Sequence, residues 1–424
     1  MPRPFGARTR RLALVTLAAA LVVAACNEDL TGGAACPAVC PPQNIQVNDT
    51  VFDAVTLDST VSGYPLLGTE SRILLASRGD TLDVRGVIRF DTLDTVFTHG
   101  GIDSTIYRIS KAYVLLRIDT LKTTYKPPVR IDLYDVDTAA ADTDLAAIRT
   151  LFRADRLIGG ALFDSVKIKD SIQVPVDTVV MLAKIKARGH LRVGFQATAP
   201  NGAQIAMGAT DGGLSALLKY NASSDTVVRD RIVAPTSSSP ANDPILKSDL
   251  SDYQVPFLVP PTDTSGPVLT VGGIFGHRAY LAFNVPSRIV DSSTVIRATL
   301  LLTQKPLRNF SDTSKFTLFP HLVTAGKEVV DVARAAVLIS AAGGGFDSLR
   351  VAPSDSGLVE VEMVTALRTW ALASSANAQR ALVLRSAVEG ISGLEAQYFS
   401  TEAPSELRPR LRISYATRTQ FGIP

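Results

Sequence analysis

The residue types that build metal centres and nucleophilic sites are scarce in this sequence, which has three cysteines and one tryptophan among 424 residues. The few histidines are scattered without a paired spacing, at His99, His190, His277 and His321, so no His-Glu-x-x-His or related metal motif is present. There is no Gly-x-Ser-x-Gly motif, and the Gly343-Gly344-Gly345 run lacks the following Lys-Ser or Lys-Thr of a phosphate loop. These absences predict a protein that is not an enzyme and that has no catalytic residues, no metal and no cofactor.

Positive charge is also scarce once the N-terminus is set aside. The formal net charge is +3, but residues 1–25 hold four arginines and no acid, so the remainder carries +3 − 4 = −1. A nucleic-acid partner therefore has no electrostatic basis.

The N-terminus predicts export and lipidation. Four arginines precede the uncharged run of residues 12–25, which is shorter than the roughly 20 residues that span a bilayer. The run ends in Leu21-Val22-Val23-Ala24-Ala25-Cys26, which resembles the lipobox of bacterial lipoproteins, whose cysteine receives a diacylglycerol. We expect residues 1–25 to be a signal peptide and Cys26 to be the acylated first residue, which anchors the protein in the bacterial envelope, at the outer membrane or cell surface rather than the inner membrane. The alternative is an ordinary signal peptide that leaves Cys26 free.

Residues 26–44 have few bulky apolar side chains and many Gly, Pro and Ala residues, which predicts a flexible tether. Its two cysteines, Cys36 and Cys40, are separated by three residues. Outside the cytoplasm this spacing favours a local disulfide. A metal site is the weaker alternative, because no second Cys or His pair lies nearby.

From Ile45 onward, short runs rich in Val, Ile, Leu, Thr and Tyr are cut by Asp, Ser, Gly and Pro about every ten residues. This pattern is typical of an all-β sandwich or jelly roll. Residues 86–90, 112–118 and 129–134 alternate well enough to place one face inward.

The sequence is also repeated with a period of about 185 residues. Six segments recur in the same order; residues 85–90 match 278–283, for example, and residues 130–134 match 315–319. Each copy carries one helical stretch, roughly residues 144–153 and 328–339, which we interpret as a lid over one end of its sandwich. The chain therefore predicts an all-β fold with two tandem jelly-roll-like β-sandwich domains, each with one short helix, at residues 45–233 and 245–416, with a linker at 234–244 and a tail at 417–424.

The C-terminal block, residues 357–415, contains an extended strand leading into a helical turn that ends in tryptophan, at residues 359–370, and then a strand at residues 381–385. The Phe399-Ser400-Thr401-Glu402 segment and a strand at residues 408–415 follow. This series resembles the DNRLRE domain family, and the first copy shares it only in its strands. The resemblance implies jelly-roll-like β modules on secreted and surface bacterial proteins, some of which bind acidic polysaccharides such as alginate.

The leading functional hypothesis is non-covalent binding of a glycan or cell-envelope polymer through aromatic stacking and hydrogen bonds. The predicted aromatic platforms are Tyr107, Tyr113, Tyr253 and Tyr398. Trp370 ends an apolar series and is expected in the core, and Glu402 is expected to have a structural role. The alternative is a structural or adhesive spacer without a small-molecule site.

One acidic cluster leaves two interpretations open. Asp135, Asp137, Asp142 and Asp144 could supply oxygen ligands to Ca²⁺, although the spacing and glycine of an EF-hand are missing. Asp144 is equally well placed as a helix N-cap.

Overall fold

The computed structural model describes residues 46–91, 93–164, 168–188, 190–224, 227–236, 250–262, 266–307, 314–324, 330–339, 346–372 and 380–417. The predicted signal peptide and tether, with Cys26, Cys36 and Cys40, lie outside these residues. Most of the predicted linker and the tail from residue 418 also lie outside them.

The described residues form mainly antiparallel strands. The strands up to residue 233 are β1 Val47–Phe52, β2 Val55–Val61, β3 Arg72–Arg78, β4 Leu82–Phe90, β5 Val96–His99, β6 Ile102–Thr105, β7 Arg108–Arg117, β8 Thr124–Tyr125, β9 Val129–Asp135, β10 Leu157–Phe163, β11 Ser171–Pro175, β12 Leu191–Thr198, β13 Ala203–Gly208, β14 Leu217–Ser223 and β15 Val228–Val233. The later strands are β16 Asp252–Leu258, β17 Val268–Gly272, β18 Arg278–Phe283, β19 Ser293–Lys305, β20 Phe316–Leu322, β21 Leu349–Val351, β22 Gly357–Glu362, β23 Ala381–Ser386, β24 Glu395–Phe399 and β25 Arg410–Thr417. The predicted all-β fold is confirmed, and β4, β7 and β9 lie where alternation predicted strands.

Two sheets form the first sandwich. The eight-stranded sheet has the order β10-β9-β12-β4-β3-β13-β8, with β16 paired to β4, and the four-stranded sheet has the order β11-β7-β14-β15. Their facing residues, such as Ile88, Phe195 and Leu116, form one buried apolar core. Strands β5 and β6 form a separate hairpin.

The second sandwich repeats this plan. Its six-stranded sheet has the order β1-β25-β19-β24-β17 with β22 paired to β19, and its five-stranded sheet has the order β2-β18-β23-β20-β21. Its core includes Leu281, Leu300 and Trp370. In both sandwiches a central strand has the same neighbours: β4 lies between β12 and β16 as β18 lies between β23 and β2.

In the described residues, five short α-helices accompany the strands: α1 Leu145–Arg149, α2 Thr178–Lys186, α3 Ser287–Val290, α4 Val332–Val337 and α5 Val364–Leu372. The prediction of one helix for each copy was therefore wrong. It was also wrong to place α1 and α4 over a sandwich end, because they cover the outward faces of the eight-stranded and five-stranded sheets, where Ile148 packs near Val87 and Ala336 near Val383. The strand and helix expected over residues 359–370 are present as β22 and α5.

The sheets do not follow the predicted domain boundaries. Strand β2 pairs with β18 of the second sandwich, although it precedes the whole first sandwich, and β16 pairs with β4 of the first sandwich, although it follows the predicted linker. Strand alternation identifies an inward face but not the partner strand, which explains the difference.

The two sandwiches meet along a seam within one compact unit, residues 49–418. Leu74 and Val84 on the outward face of the eight-stranded sheet pack against Ile274 and Ile391 of the second sandwich. Gln254 also bridges the halves, since its side chain accepts from the Leu74 backbone N–H at 3.3 Å and donates to the Gly390 carbonyl at 3.0 Å. Among the described residues, no helix is long and apolar enough to cross a membrane.

Candidate binding face of the four-stranded sheet

The outward face of the four-stranded sheet is accessible on all four strands. On β7 the core side holds Ala112, Val114 and Leu116, so the residues between them point outward. The outward side chains are exposed or half-buried and comprise Lys111, Tyr113, Leu115 and Arg117 on β7, Gln173 and Pro175 on β11, Lys219 and Asn221 on β14, and Val228, Asp230 and Ile232 on β15. We call this surface the open face.

Tyr113 lies at the centre of the open face. It pairs with Pro175 of β11 on one side and with Lys219 of β14 on the other, and Lys219 pairs in turn with Ile232 of β15. Because neighbouring strands are about 4.8 Å apart, these four side chains form one row across the sheet. The row combines an aromatic ring, an ammonium group and apolar surface.

The open face is basic. Its cations are Lys111, Arg117 and Lys219, and Arg108 at the start of β7 pairs with Ser223 along the same sheet. The single carboxylate among the described outward residues is Asp230, which accepts a hydrogen bond from the Asn221 side-chain amide. Since none of these cations has a carboxylate partner among the residues described, the face should attract polyanions.

Two of the predicted tyrosines are accessible. Tyr113 is half-buried, and the Lys111 ammonium lies 4.9 Å from the centre of its ring, a cation–π contact that orients both side chains. Tyr107 is 54% exposed and precedes β7, where its backbone N–H donates to the Ser223 carbonyl at 2.9 Å.

The structure contradicts the prediction that Tyr253 and Tyr398 are aromatic platforms. Tyr253 and Tyr398 are fully buried, so neither ring can stack on a sugar. Tyr253 donates its hydroxyl to Asp142 at 3.0 Å, and burial raises the pKa of its phenol, as burial also raises that of Tyr398. Both tyrosines are structural because the faces on which they lie are covered.

The block that carries the family resemblance is also mainly structural. Trp370 is 4% exposed and its ring lies 5.5 Å from that of Phe283 in the second core, as expected. Thr401 donates its backbone N–H and its hydroxyl to Asp58 at 2.8 and 2.9 Å, which attaches this segment to β2. Glu402 accepts a hydrogen bond from the Ser400 hydroxyl, and this bond lowers the pKa of the Glu402 carboxyl.

The acidic cluster of residues 135–144 is dispersed among different partners. Lys184 pairs with Asp135 at 3.0 Å and with Asp137 at 2.9 Å. Asp142 pairs with Arg89 at 2.5 Å, and Asp144 caps α1 by accepting from the Ala147 N–H at 3.0 Å. The N-cap interpretation of Asp144 is therefore confirmed, and no group of three or more His, Cys, Asp or Glu side chains among the described residues could hold a metal ion.

Sequence reasoning missed the cations of the open face. Lys111, Tyr113, Leu115 and Arg117 occupy alternate positions of one strand, a signal that could have identified them. Lys219 could not have been added in that way, because only the pairing of β14 with β7 brings it beside Tyr113.

A scan of the sequence against protein-family models finds no match, and a search of curated proteins finds none either. The resemblance to the DNRLRE family therefore stays an interpretation of the C-terminal block.

Proposed function

We propose that the protein is a membrane-anchored, non-catalytic lipoprotein of the bacterial cell envelope that binds an acidic glycan or another anionic envelope polymer on the open face. The observation that supports this proposal most is the row through Tyr113 and Lys219. It is flanked by Lys111 and Arg117, which have no carboxylate partner in the described part of the chain. The lipobox-like segment ending at Cys26 supports the location.

The mechanism follows from the shape and charge of this surface. A sheet face with an accessible tyrosine offers a flat apolar contact to the ring of a sugar. Cations on neighbouring strands can pair with successive acidic groups of a polymer, so several weak contacts add up along one chain. Such pairs are exposed to solvent, and binding should therefore weaken as salt screens them.

The test uses a soluble form of the protein that starts at residue 45, with immobilised alginate as the acidic polymer and dextran as the neutral one. We expect retention on alginate that decreases with salt. Lys111→Gln and Tyr113→Thr should each weaken binding about fivefold to tenfold, since exposed pairs and aromatic contacts contribute about 1 kcal/mol.

Arg297→Gln is the matched control, because Arg297 takes the place of Lys111 on the second sandwich and should not affect retention. Equal retention on dextran, or loss of binding in the control alone, would contradict the proposal.

A structural spacer is the second candidate function, and one observation favours it for the second sandwich. The position equivalent to Tyr113 on that sandwich is Thr299, and the surrounding charges are balanced. If no envelope polymer binds the open face, the spacer interpretation extends to the whole protein.

A further inference from the structure

A cavity of about 470 Å³ lies in the seam between the two sandwiches, far from the row that carries the proposed function. One wall is the loop of residues 64–72 before β3, and the other is formed by the outward face of the five-stranded sheet and the turn after β23. Cavities of this size take small organic molecules.

Two of the three arginines that line the cavity are neutralised within the protein. Arg278 makes a bidentate pair with Glu389, at 3.0 and 2.5 Å, and it also donates to the Ala336 carbonyl at 2.9 Å. Its guanidinium lies 4.1 Å from the centre of the Tyr64 ring. Arg72 pairs with Asp119 at 3.3 Å.

The third arginine, Arg385, is only partly compensated, because the Glu389 carboxylate that attracts it is already paired with Arg278. Its Nε donates to Nε2 of His321 at 3.0 Å, and no carboxylate in the described part of the chain lies within ion-pair distance of it. Burial, with a further contribution from Arg385, lowers the pKa of His321 to about 4, so the imidazole is neutral at physiological pH. The histidine orients the guanidinium without balancing its charge.

The rest of the cavity combines apolar surface with the hydroxyl-bearing residues Thr69, Ser71 and Ser386. Phe319 is the direct cross-strand neighbour of Arg385, and the apolar side chains that line the space are Pro65, Leu66, Val337, Ile339 and Ile391. Arg385 is half-buried, so its charge is partly removed from water, and this burial lowers the pKa of its guanidinium. An oxyanion with a bidentate shape would offset that cost, because paired charged hydrogen bonds to a guanidinium are among the strongest polar contacts in proteins.

We propose that this cavity binds a small organic monoanion, whose carboxylate pairs with Arg385 and whose apolar body fills the remaining space. Because Arg278 and Arg385 share the single carboxylate of Glu389, one excess positive charge remains and selects a single negative charge. The limited volume of the cavity favours a compact molecule over a polymer. This site uses none of the residues of the open face, so either proposal can fail without the other.

The test compares two probes of the same shape, naphthalene-2-carboxylate and uncharged naphthalene-2-carboxamide, by titration calorimetry with the protein from residue 45. We expect the carboxylate to bind at least about tenfold more tightly than the carboxamide, as expected for charge-assisted pairing. Arg385→Gln should reduce this preference to less than about twofold. Arg350→Gln, an exposed arginine on the same sheet, should leave it unchanged.

A second variant keeps the test decisive if Arg385→Gln does not fold. Arg385→Lys retains the charge but loses the planar fork, so a reduced preference for the carboxylate is expected. The proposal is overturned if neither probe binds the wild-type protein, if both bind equally, or if the preference persists in folded Arg385→Gln.

Discussion

The four-stranded sheet of the first sandwich and the six-stranded sheet of the second occupy the same place in a repeated topology, yet their outward faces differ. Tyr113 of β7 corresponds to Thr299 of β19, and Lys219, the cross-strand neighbour of Tyr113, corresponds to Arg412, the cross-strand neighbour of Thr299. In the second sandwich Arg412 pairs with Asp49 at 2.7 Å, and this bond lowers the pKa of the Asp49 carboxyl. The same arrangement of strands thus presents a basic, aromatic surface in one half and a balanced one in the other, as expected if binding depends on side chains that the fold leaves free.

A second difference between the two sandwiches concerns buried residues. In the first sandwich the cross-strand pair Arg89–Arg192 joins β4 and β12, and both guanidinium groups contact Asp142, at 2.5 and 3.4 Å. In the second sandwich the corresponding pair is Ala282–Ala381. A charged network therefore replaces an apolar contact at equivalent places of two similar sheets.

The largest expected effect tests the dependence of the second half on strands from the N-terminus. Deleting residues 46–62 removes β1 and β2, which are edge strands of both of its sheets. We expect the second sandwich to lose cooperative folding, since the exposed core would cost more than the roughly 5–15 kcal/mol that stabilises a domain. Calorimetry and limited proteolysis should show that the first sandwich alone persists.

The control for this deletion is the chain that begins at residue 46. It keeps both strands and should unfold like the longer protein. If the deletion variant unfolds at the same temperature as the control, β1 and β2 contribute little to the stability of the second sandwich. The two sandwiches would then depend on distant strands to a similar, small extent.

A smaller effect is expected from the buried network. Asp142→Ala leaves Arg89 and Arg192 without their shared partner and also removes the acceptor for Tyr253. The free energy of unfolding should fall by about 3–5 kcal/mol, as for other buried charges that lose a partner. Urea denaturation measures this change.

An apolar replacement of the whole network sharpens the comparison with the alanine pair of the second half. Arg89 also pairs with Asp91 at 2.9 Å, so the quadruple variant Asp142→Leu, Arg89→Met, Arg192→Met and Asp91→Ala is the one to test. It should be less destabilised than Asp142→Ala alone, because it leaves no charge of the network buried without a partner. A quadruple variant that is less stable than the single one would show that the first sandwich needs its charges.

The smallest of the three effects concerns the seam. Burial raises the pKa of Glu70 to about 8 from a usual value of 4.5, and its carboxyl accepts the backbone N–H of Gln254, the residue that bridges both halves. The folded state therefore favours the protonated acid, and this contribution to stability is complete below pH 4.5 and lost as the pH rises through about 8.

Glu70→Gln should remove this pH dependence. Between pH 5 and 8 the stability of the wild-type protein should fall relative to the variant by on the order of 3 kcal/mol. Thermal unfolding of both proteins over this range measures the difference. If the stability of both proteins varies with pH in the same way, the protonation of Glu70 does not contribute to the stability of the seam between the sandwiches.

Much of the fold could be predicted because alternation is a local property. In residues 86–90 and 129–134 the alternation of apolar residues identifies the side chains that point into the core. The sequence repeat indicates that the β-sandwich occurs twice. The partner of a strand is not local. Nothing in residues 55–61 indicates that they pair with β18 rather than with a strand of the first sandwich, and the predicted boundaries therefore separated strands from their sheets.

The candidate site, like the fold, was predictable only in its local features. The sequence places both Tyr113 and Tyr253 in strands, but whether each side chain is exposed depends on what covers that face of the sheet. Tyr253 is buried by the loop that carries Asp142, which lies 111 residues away in the chain, whereas the face of Tyr113 is open. The Arg385 cavity could not be predicted either, because it exists only where the two halves meet.

The exchange of strands sets the order in which the protein can be completed. Asp49 of β1 bonds to Arg412 of β25, 363 residues further along the chain. A ribosome that adds roughly 5–20 residues per second needs roughly 20 to 70 s to make that stretch. During this time β1 has no partner and exposes a strand edge that can pair with other chains, whereas β2 can pair earlier, once β18 has been made. The first strand of the second sandwich therefore has to wait for the last one before its sheet is complete.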